Sequence, residues 1–305
     1  MVVLARGQSD PQATKVAPTH VGIRYGPHVR NLFDFWAASS AAPAPLLVHI
    51  HGGGFRTGSR TAIDQGLIRA CLAAGIAVMS IDYRFLPDAP IQDILRDCAR
   101  AIQFIRLNAE TYQIDPKRVA AYGSSAGAGT SLWLGFHPDL ADPHNPDPVL
   151  RQSSRLTAIA GSNTQATYNL PEWETVIGPN DPSWSRNRAP DEELAGFYHV
   201  RDIGVLETAA GRQLLAGVSM LQLASSDDPP VFLASAHPDG PIQNRSHYLH
   251  HPRHTRAVEA RCREVGIPIT VHFSNADPRS PGNASSGLRA FLLKHLGATP
   301  RPPSY

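Results

Sequence analysis

A chain of 305 residues can bury a sizeable core, as one large α/β domain or two smaller ones. Its 42% hydrophobic and 18% charged residues are those of an ordinary globular protein. A formal net charge of +2 gives no reason to expect nucleic acid or an anionic membrane as partner, and no apolar run approaches the roughly 20 residues of a membrane span.

Residues 1–18, polar and Pro-containing from position 6, read as a loose arm. The apolar start at Met1 is too short for a signal-peptide core, so the expected compartment is the cytoplasm, or outside it with a leader already removed. Residues 21–30 and 31–36 are expected as strands about a Gly-Pro turn, and 46–50 as a short buried strand. Residues 61–74 carry Ile63, Leu67, Ile68, Cys71 and Leu72 at helical spacing and end at Gly75, a C-cap residue. A strand over 76–81 follows, then a long amphipathic helix over 91–110 with Ile94, Cys98, Ala101, Ile102 and Ile105 on one face. Asp115-Pro116 reads as a turn, 118–122 as a strand and 125–136 as a helix. This alternation implies a mostly parallel sheet with helices on both faces.

Residues 138–148, rich in Pro, Asp and Asn, are a loop, and 156–161 another strand. Residues 163–226 hold Trp173, Trp184, Phe197 and Tyr198 among Pro and Gly, with helix-like pieces at 191–199 and 205–216. They read as an inserted cap, the whole insertion running from about 137 to 226. A strand at 231–236, a helix at 255–265 ended by Gly266, a strand at 269–273 and a closing helix at 287–296 complete the expected domain of 19–297. The apolar final helix is a candidate surface for pairing with a second copy, and 298–305 a frayed tail. Cys71, Cys98 and Cys262 form no C-x-x-C; the first two fall in apolar helix-like segments, which reads as buried thiols in a reducing compartment.

Two glycine-rich runs carry the chemistry. Ser125 lies in Gly123-Ser124-Ser125-Ala126-Gly127, between a strand and a helix. On such a strained turn small neighbours prevent clashes and the serine hydroxyl is presented as a nucleophile. Upstream, His51-Gly52-Gly53-Gly54-Phe55 follows the 46–50 strand directly. Gly53 and Gly54, lacking Cβ atoms, would let a substrate approach their N–H groups. Together with the Ala126 N–H they would stabilise an oxyanion. No Lys-Ser/Thr follows either run, so a phosphate cradle is not indicated.

His51–Phe55, Asp82-Tyr83-Arg84, Asp97, Asp115-Pro116-Lys117-Arg118-Val119, Gly123–Gly127 and Asp228-Pro229-Pro230-Val231 together resemble the hormone-sensitive-lipase family of α/β-hydrolase carboxylesterases. The resemblance runs over residues 20–136, resumes over 228–296 and is lost between. It implies an α/β-hydrolase fold with a cap, Ser125 as nucleophile and an oxyanion hole from Gly53, Gly54 and Ala126. It also implies structural roles for Asp82, Arg84 and Asp115, an acid at Asp239 after the strand that opens with Asp-Pro-Pro, and no cofactor. Asp239-Gly240 is also an ordinary turn pair, and Asp228 is expected to pin the loop before that strand.

The departure from the family lies after the strand at 269–273. The usual base histidine is missing from Ser274-Asn275-Ala276-Asp277-Pro278-Arg279-Ser280-Pro281-Gly282, and His272 within the strand reads as a partly buried strand residue. A serine hydroxyl without a base is a poor nucleophile at neutral pH. The stretch Ser246-His247-Tyr248-Leu249-His250-His251-Pro252-Arg253-His254, read as a polar loop, offers a substitute, since a triad is defined by geometry and not by chain order. His251, just before Pro252 at the mouth of the next helix, is the expected base, with His250 beside it as the alternative; a helix-capping role is the competing reading. The spacing His247-x-x-His250-His251-x-x-His254 also suggests zinc, but Pro252 interrupts the helix and no acidic or thiol ligand lies alongside. Two functions follow. One is a serine hydrolase of carboxylic esters with short or medium acyl chains, its apolar cap walling the pocket. The other is a small-molecule binder on the same scaffold, as in the plant gibberellin receptors, which resemble this family and lack the base.

Overall fold

The computed structural model describes residues 15–178, 190–273 and 284–297. Most of the expected N-terminal arm, the C-terminal tail, Trp184 and the 274–282 stretch lie outside the described residues.

Among those described, eight strands form one sheet: β1 His20–Arg24, β2 Leu32–Trp36, β3 Ala44–Ile50, β4 Ala77–Ile81, β5 Ile114–Ser124, β6 Ala158–Ser162, β7 Val231–Ser235 and β8 Ile269–Phe273. Their order is β1-β2-β4-β3-β5-β6-β7-β8. β1 and β2 are antiparallel to their neighbours, and every pair from β4 onward is parallel. The helices are α1 Gln65–Ala73, α2 Ile91–Leu107, α3 Ala109–Tyr112, α4 Ala126–Phe136, α5 Trp173–Val176, α6 Pro190–Tyr198, α7 Ala209–Gly217, α8 Met220–Leu223, α9 Arg245–His250, α10 Pro252–Val265 and α11 Ala284–Leu296.

The central strands read as unbroken apolar runs because both of their faces are covered. In β3, Leu46, Val48 and Ile50 belong to the core layer that also holds the buried residues of α2, α4 and α10, whereas Leu47 between them belongs to the layer that holds those of α1 and α11. The same two-residue period divides Val231 and Leu233 from Phe232 and Ala234 in β7. The free thiols of Cys71, Cys98 and Cys262 are buried in these layers. On α11, Leu288, Phe291, Leu292 and Leu296 are all buried against the sheet. The apolar face expected to meet a second copy is therefore spent inside the domain.

Several boundaries differ from expectation for local reasons. Asp115-Pro116 does not end the strand. Asp115 Oδ1 accepts the Lys117 N–H at 2.9 Å, and the pairing jumps from Ala44↔Ile114 to Leu46↔Val119, so the turn chemistry makes a bulge inside β5. The expected 61–74 helix starts late, because Asp64 caps it by accepting the Leu67 N–H at 2.7 Å. β6, inside the 137–226 insertion, is a central strand, so the helical cover begins after it. The stretch expected as a histidine-rich loop contains α9, capped by Asn244, whose Oδ1 accepts the His247 N–H at 3.0 Å.

Charged residues shared with the family resemblance tie loops together. Arg84 holds the buried Asp97 through two bonds of 2.8 and 2.9 Å, Arg60 reaches Asp82 at 2.6 Å, and Arg118 meets Asp115 at 2.7 Å. Asp228 pairs with Arg155 at 3.1 Å and accepts the Ser225 N–H at 2.8 Å, pinning the approach to β7.

Candidate active site

β5 ends at Ser124, and the chain turns into α4 through Ser125, whose φ of 55° and ψ of −124° lie where L-residues are rare. The turn is held by the Ser125 N–H donating to Ser162 O at 2.9 Å and by the Ser125 carbonyl accepting the Ala128 N–H at 2.9 Å. A Cβ on Gly127 would stand 2.0 Å from Ile50 O, and one on Gly123 would stand 2.4 Å from Gly127 C. The small residues thus let the elbow pack directly on the end of β3. A Cβ on Gly52 would likewise meet Ser124 O at 2.7 Å, which places the two glycine-rich runs against each other.

Gly53 has φ +110°, and any Cβ there would lie 2.2 Å from Thr57 O; Gly54, at φ +60°, has nothing within 4 Å of its Cβ direction. Among the described residues no acceptor meets the N–H of Gly53, Gly54 or Ala126. The loop is braced from behind. The His51 ring stacks on Tyr83 at 4.3 Å and 18°, and the Tyr83 hydroxyl donates to His51 O at 2.7 Å.

The imidazole that reaches the serine is His250: its Nε2 lies 2.8 Å from Ser125 Oγ. Its Nδ1 lies 2.9 Å from Ser246 O, one turn back along α9. A carbonyl only accepts, so Nδ1 carries the proton and Nε2 is left bare to accept from the serine hydroxyl. Burial lowers the His250 pKa below the ordinary imidazole value. The neighbouring His237 acts in the same direction and the Ser246 bond opposes both. The His237 ring lies over that of His250 at 5.2 Å and 18°.

His251, the expected base, is elsewhere. Its buried ring caps α10: Nδ1 accepts the Arg253 N–H at 3.2 Å and Nε2 donates to Gly240 O at 2.9 Å. His247 Nε2 donates to Pro238 O at 2.9 Å. These two imidazoles hold the 238–240 loop so that Asp239 turns outward, half exposed, to Arg256 at 2.9 Å. The expected acid therefore makes no hydrogen bond to His250, whose ring partners are Ser125 and Ser246 O. His254 accepts the Ala166 N–H at 3.2 Å, so the four histidines of the zinc-like spacing aim at four different partners. His272 sits in β8 opposite Ala234.

Ser125, His250, Gly53, Gly54 and Ala126 open onto one cavity of about 840 Å³. Tyr168, Trp173, Leu194 and Phe197 wall it, and the paired Glu193 and Arg245 also line it. Sequence reasoning missed Ser246, His237 and α9 itself. Asn244 three residues before His247 was the available signal for that helix.

Residues 34–171 match the BD-FAE family model. The AB hydrolase superfamily protein C1039.03 of Schizosaccharomyces pombe is 30% identical over 130 residues, which are 43% of this chain and 37% of that one. Esterase LipC of Mycobacterium tuberculosis is 30% identical over 160 residues, 52% of this chain and 38% of that one. The chain spans about a third of the length of the curated relatives it matches. A truncated carbohydrate esterase from gut microbiota superposes with a TM-score of 0.69 at 16% identity, over 95% of this chain and 100% of the other. Sheet order, elbow and superposition define the class: this is an α/β-hydrolase fold. Within that class the chain is similar to the hormone-sensitive-lipase-like esterases, the relatives that the matched domain and the sequence matches bring together.

Proposed function

We propose that the protein is a serine carboxylic-ester hydrolase. The observation that carries this reading is the 2.8 Å approach of His250 Nε2 to the hydroxyl of a serine held at φ 55°. Ser125 Oγ attacks the ester carbonyl as its proton passes to His250 Nε2. The oxyanion accepts from the N–H groups of Gly53, Gly54 and Ala126, donors of a kind worth about 2.7–4 kcal/mol in the transition state. Collapse returns the proton to the leaving alcohol. Water, deprotonated by the same imidazole, then releases the acyl group. A backbone carbonyl stands where a carboxylate would ordinarily steady the imidazolium, so the base is oriented but receives less charge stabilisation. The relatives named as esterases support the same chemistry.

Among the described residues no carboxylate bonds to His250, which favours a second reading, a pocket that binds a small molecule and turns it over slowly or not at all. Turnover of p-nitrophenyl butyrate separates the two. The hydrolase reading requires activity that disappears in both Ser125→Ala and His250→Ala, and an inactive wild-type protein overturns it.

A further inference from the structure

Two side-chain amides beside the reacting pair are each committed at one end and open at the other. Asn163, directly after β6, has φ 50° and donates its N–H to Ala234 O at 2.8 Å. Its side-chain amide meets the Ala236 N–H at 2.9 Å. A backbone N–H requires an acceptor, so the atom there is Oδ1 and Nδ2 points away. Gln165, only 5% exposed, is fixed by the opposite logic: it meets Leu249 O at 2.9 Å, so that atom is Nε2 and Oε1 is left over.

Both residues line the cavity that holds Ser125 and His250. Among the described residues neither Asn163 Nδ2 nor Gln165 Oε1 has a partner, and neither is a sealed-off interior atom. The polar ends of the nearby aromatic side chains are already used: the Tyr168 hydroxyl donates to Ala126 O at 2.6 Å and Trp173 Nε1 to Thr167 O at 2.8 Å. A plain alkyl ester would cover the two open amide atoms without pairing them. A hydroxyl group, both donor and acceptor, satisfies either.

We propose that Asn163 Nδ2 and Gln165 Oε1 form a donor–acceptor subsite that selects hydroxylated esters over plain alkyl esters. The word ester rests on the hydrolase reading above; the subsite itself does not. Binding is measured by calorimetry on Ser125→Ala, which leaves the ester intact, with ethyl butyrate and its 2-, 3- and 4-hydroxy analogues. At least one hydroxylated ester is expected to bind roughly tenfold tighter than ethyl butyrate. Adding Asn163→Gly, which tolerates the positive φ, or Gln165→Met, which keeps side-chain length, is expected to cut that advantage to about threefold or less. Affinity for ethyl butyrate, unchanged in the same variants, shows that the cavity is intact. Equal binding of all four esters overturns the subsite, as does an advantage that survives both substitutions. Turnover of the same esters by the wild-type protein is read separately. Preferential binding without turnover leaves the subsite standing and removes the hydrolase reading, and turnover without preference does the reverse.

Discussion

His237→Phe isolates one electrostatic influence on the reacting imidazole. Phenylalanine keeps a flat ring over His250 and keeps the burial that is the largest cause of its lowered pKa, but it removes the neighbouring titratable group. Two imidazolium rings 5.2 Å apart repel by on the order of 1 kcal/mol in a water-accessible cavity. A general base works only when neutral, so the rate falls as pH drops through the His250 titration. In the wild-type protein a charged His237 resists that protonation. In His237→Phe the base gains its proton more readily, and the acid limb of kcat/KM moves to higher pH. On the falling part of the acid limb the variant is expected to be slower than wild type by up to about fivefold, with equal rates at pH 8. The assay is a pH series of kcat/KM on p-nitrophenyl butyrate for the two proteins. An acid limb that stays in place or moves to lower pH refutes the reasoning.

His251→Ala removes a helix cap and a buried bond to Gly240 O, so it is expected to cost about 2 kcal/mol in urea unfolding while kcat/KM stays within about threefold. Gly127→Ala forces a methyl to 2.0 Å from Ile50 O and is expected to destabilise by about 3 kcal/mol or more, whereas Gly217→Ala meets nothing within 4 Å inside α7 and is expected to gain up to about 1 kcal/mol; thermal melts compare them. Buried His49 and His254 have pKa values lowered to about 3. The unfolded chain binds protons that these two folded groups refuse, so their stability contribution is full above the ordinary imidazole pKa and is lost as pH falls from about 6.5 toward 3. Each loses at most about 5 kcal/mol, and His254→Phe is expected to flatten the decline of the urea midpoint over that range.

The sheet was legible because its strands bury two faces: the runs at 46–50 and 231–236 admit little else. The elbow was legible for a related reason, since Gly123, Ala126 and Gly127 are small where a Cβ would strike the end of β3. The base was not legible to the residue. His250 ends α9 and His251 caps α10, so their rings diverge, and only knowledge of that short helix separates them. Asp239 occupies the family's acid position in sequence, but two histidine bonds to Pro238 O and Gly240 O set the loop so that its carboxylate turns to Arg256. The amides at Asn163 and Gln165 show no pattern in the chain at all, because their meaning lies in which end each has already spent.

The most direct measurement is peptide mapping by mass spectrometry after reaction with diethyl p-nitrophenyl phosphate. A single diethylphosphoryl group on the peptide bearing Ser125, formed at least about a hundredfold more slowly in His250→Gln, is the result expected of a serine activated by that imidazole. Labelling at another residue, or an unchanged rate in His250→Gln, would contradict it.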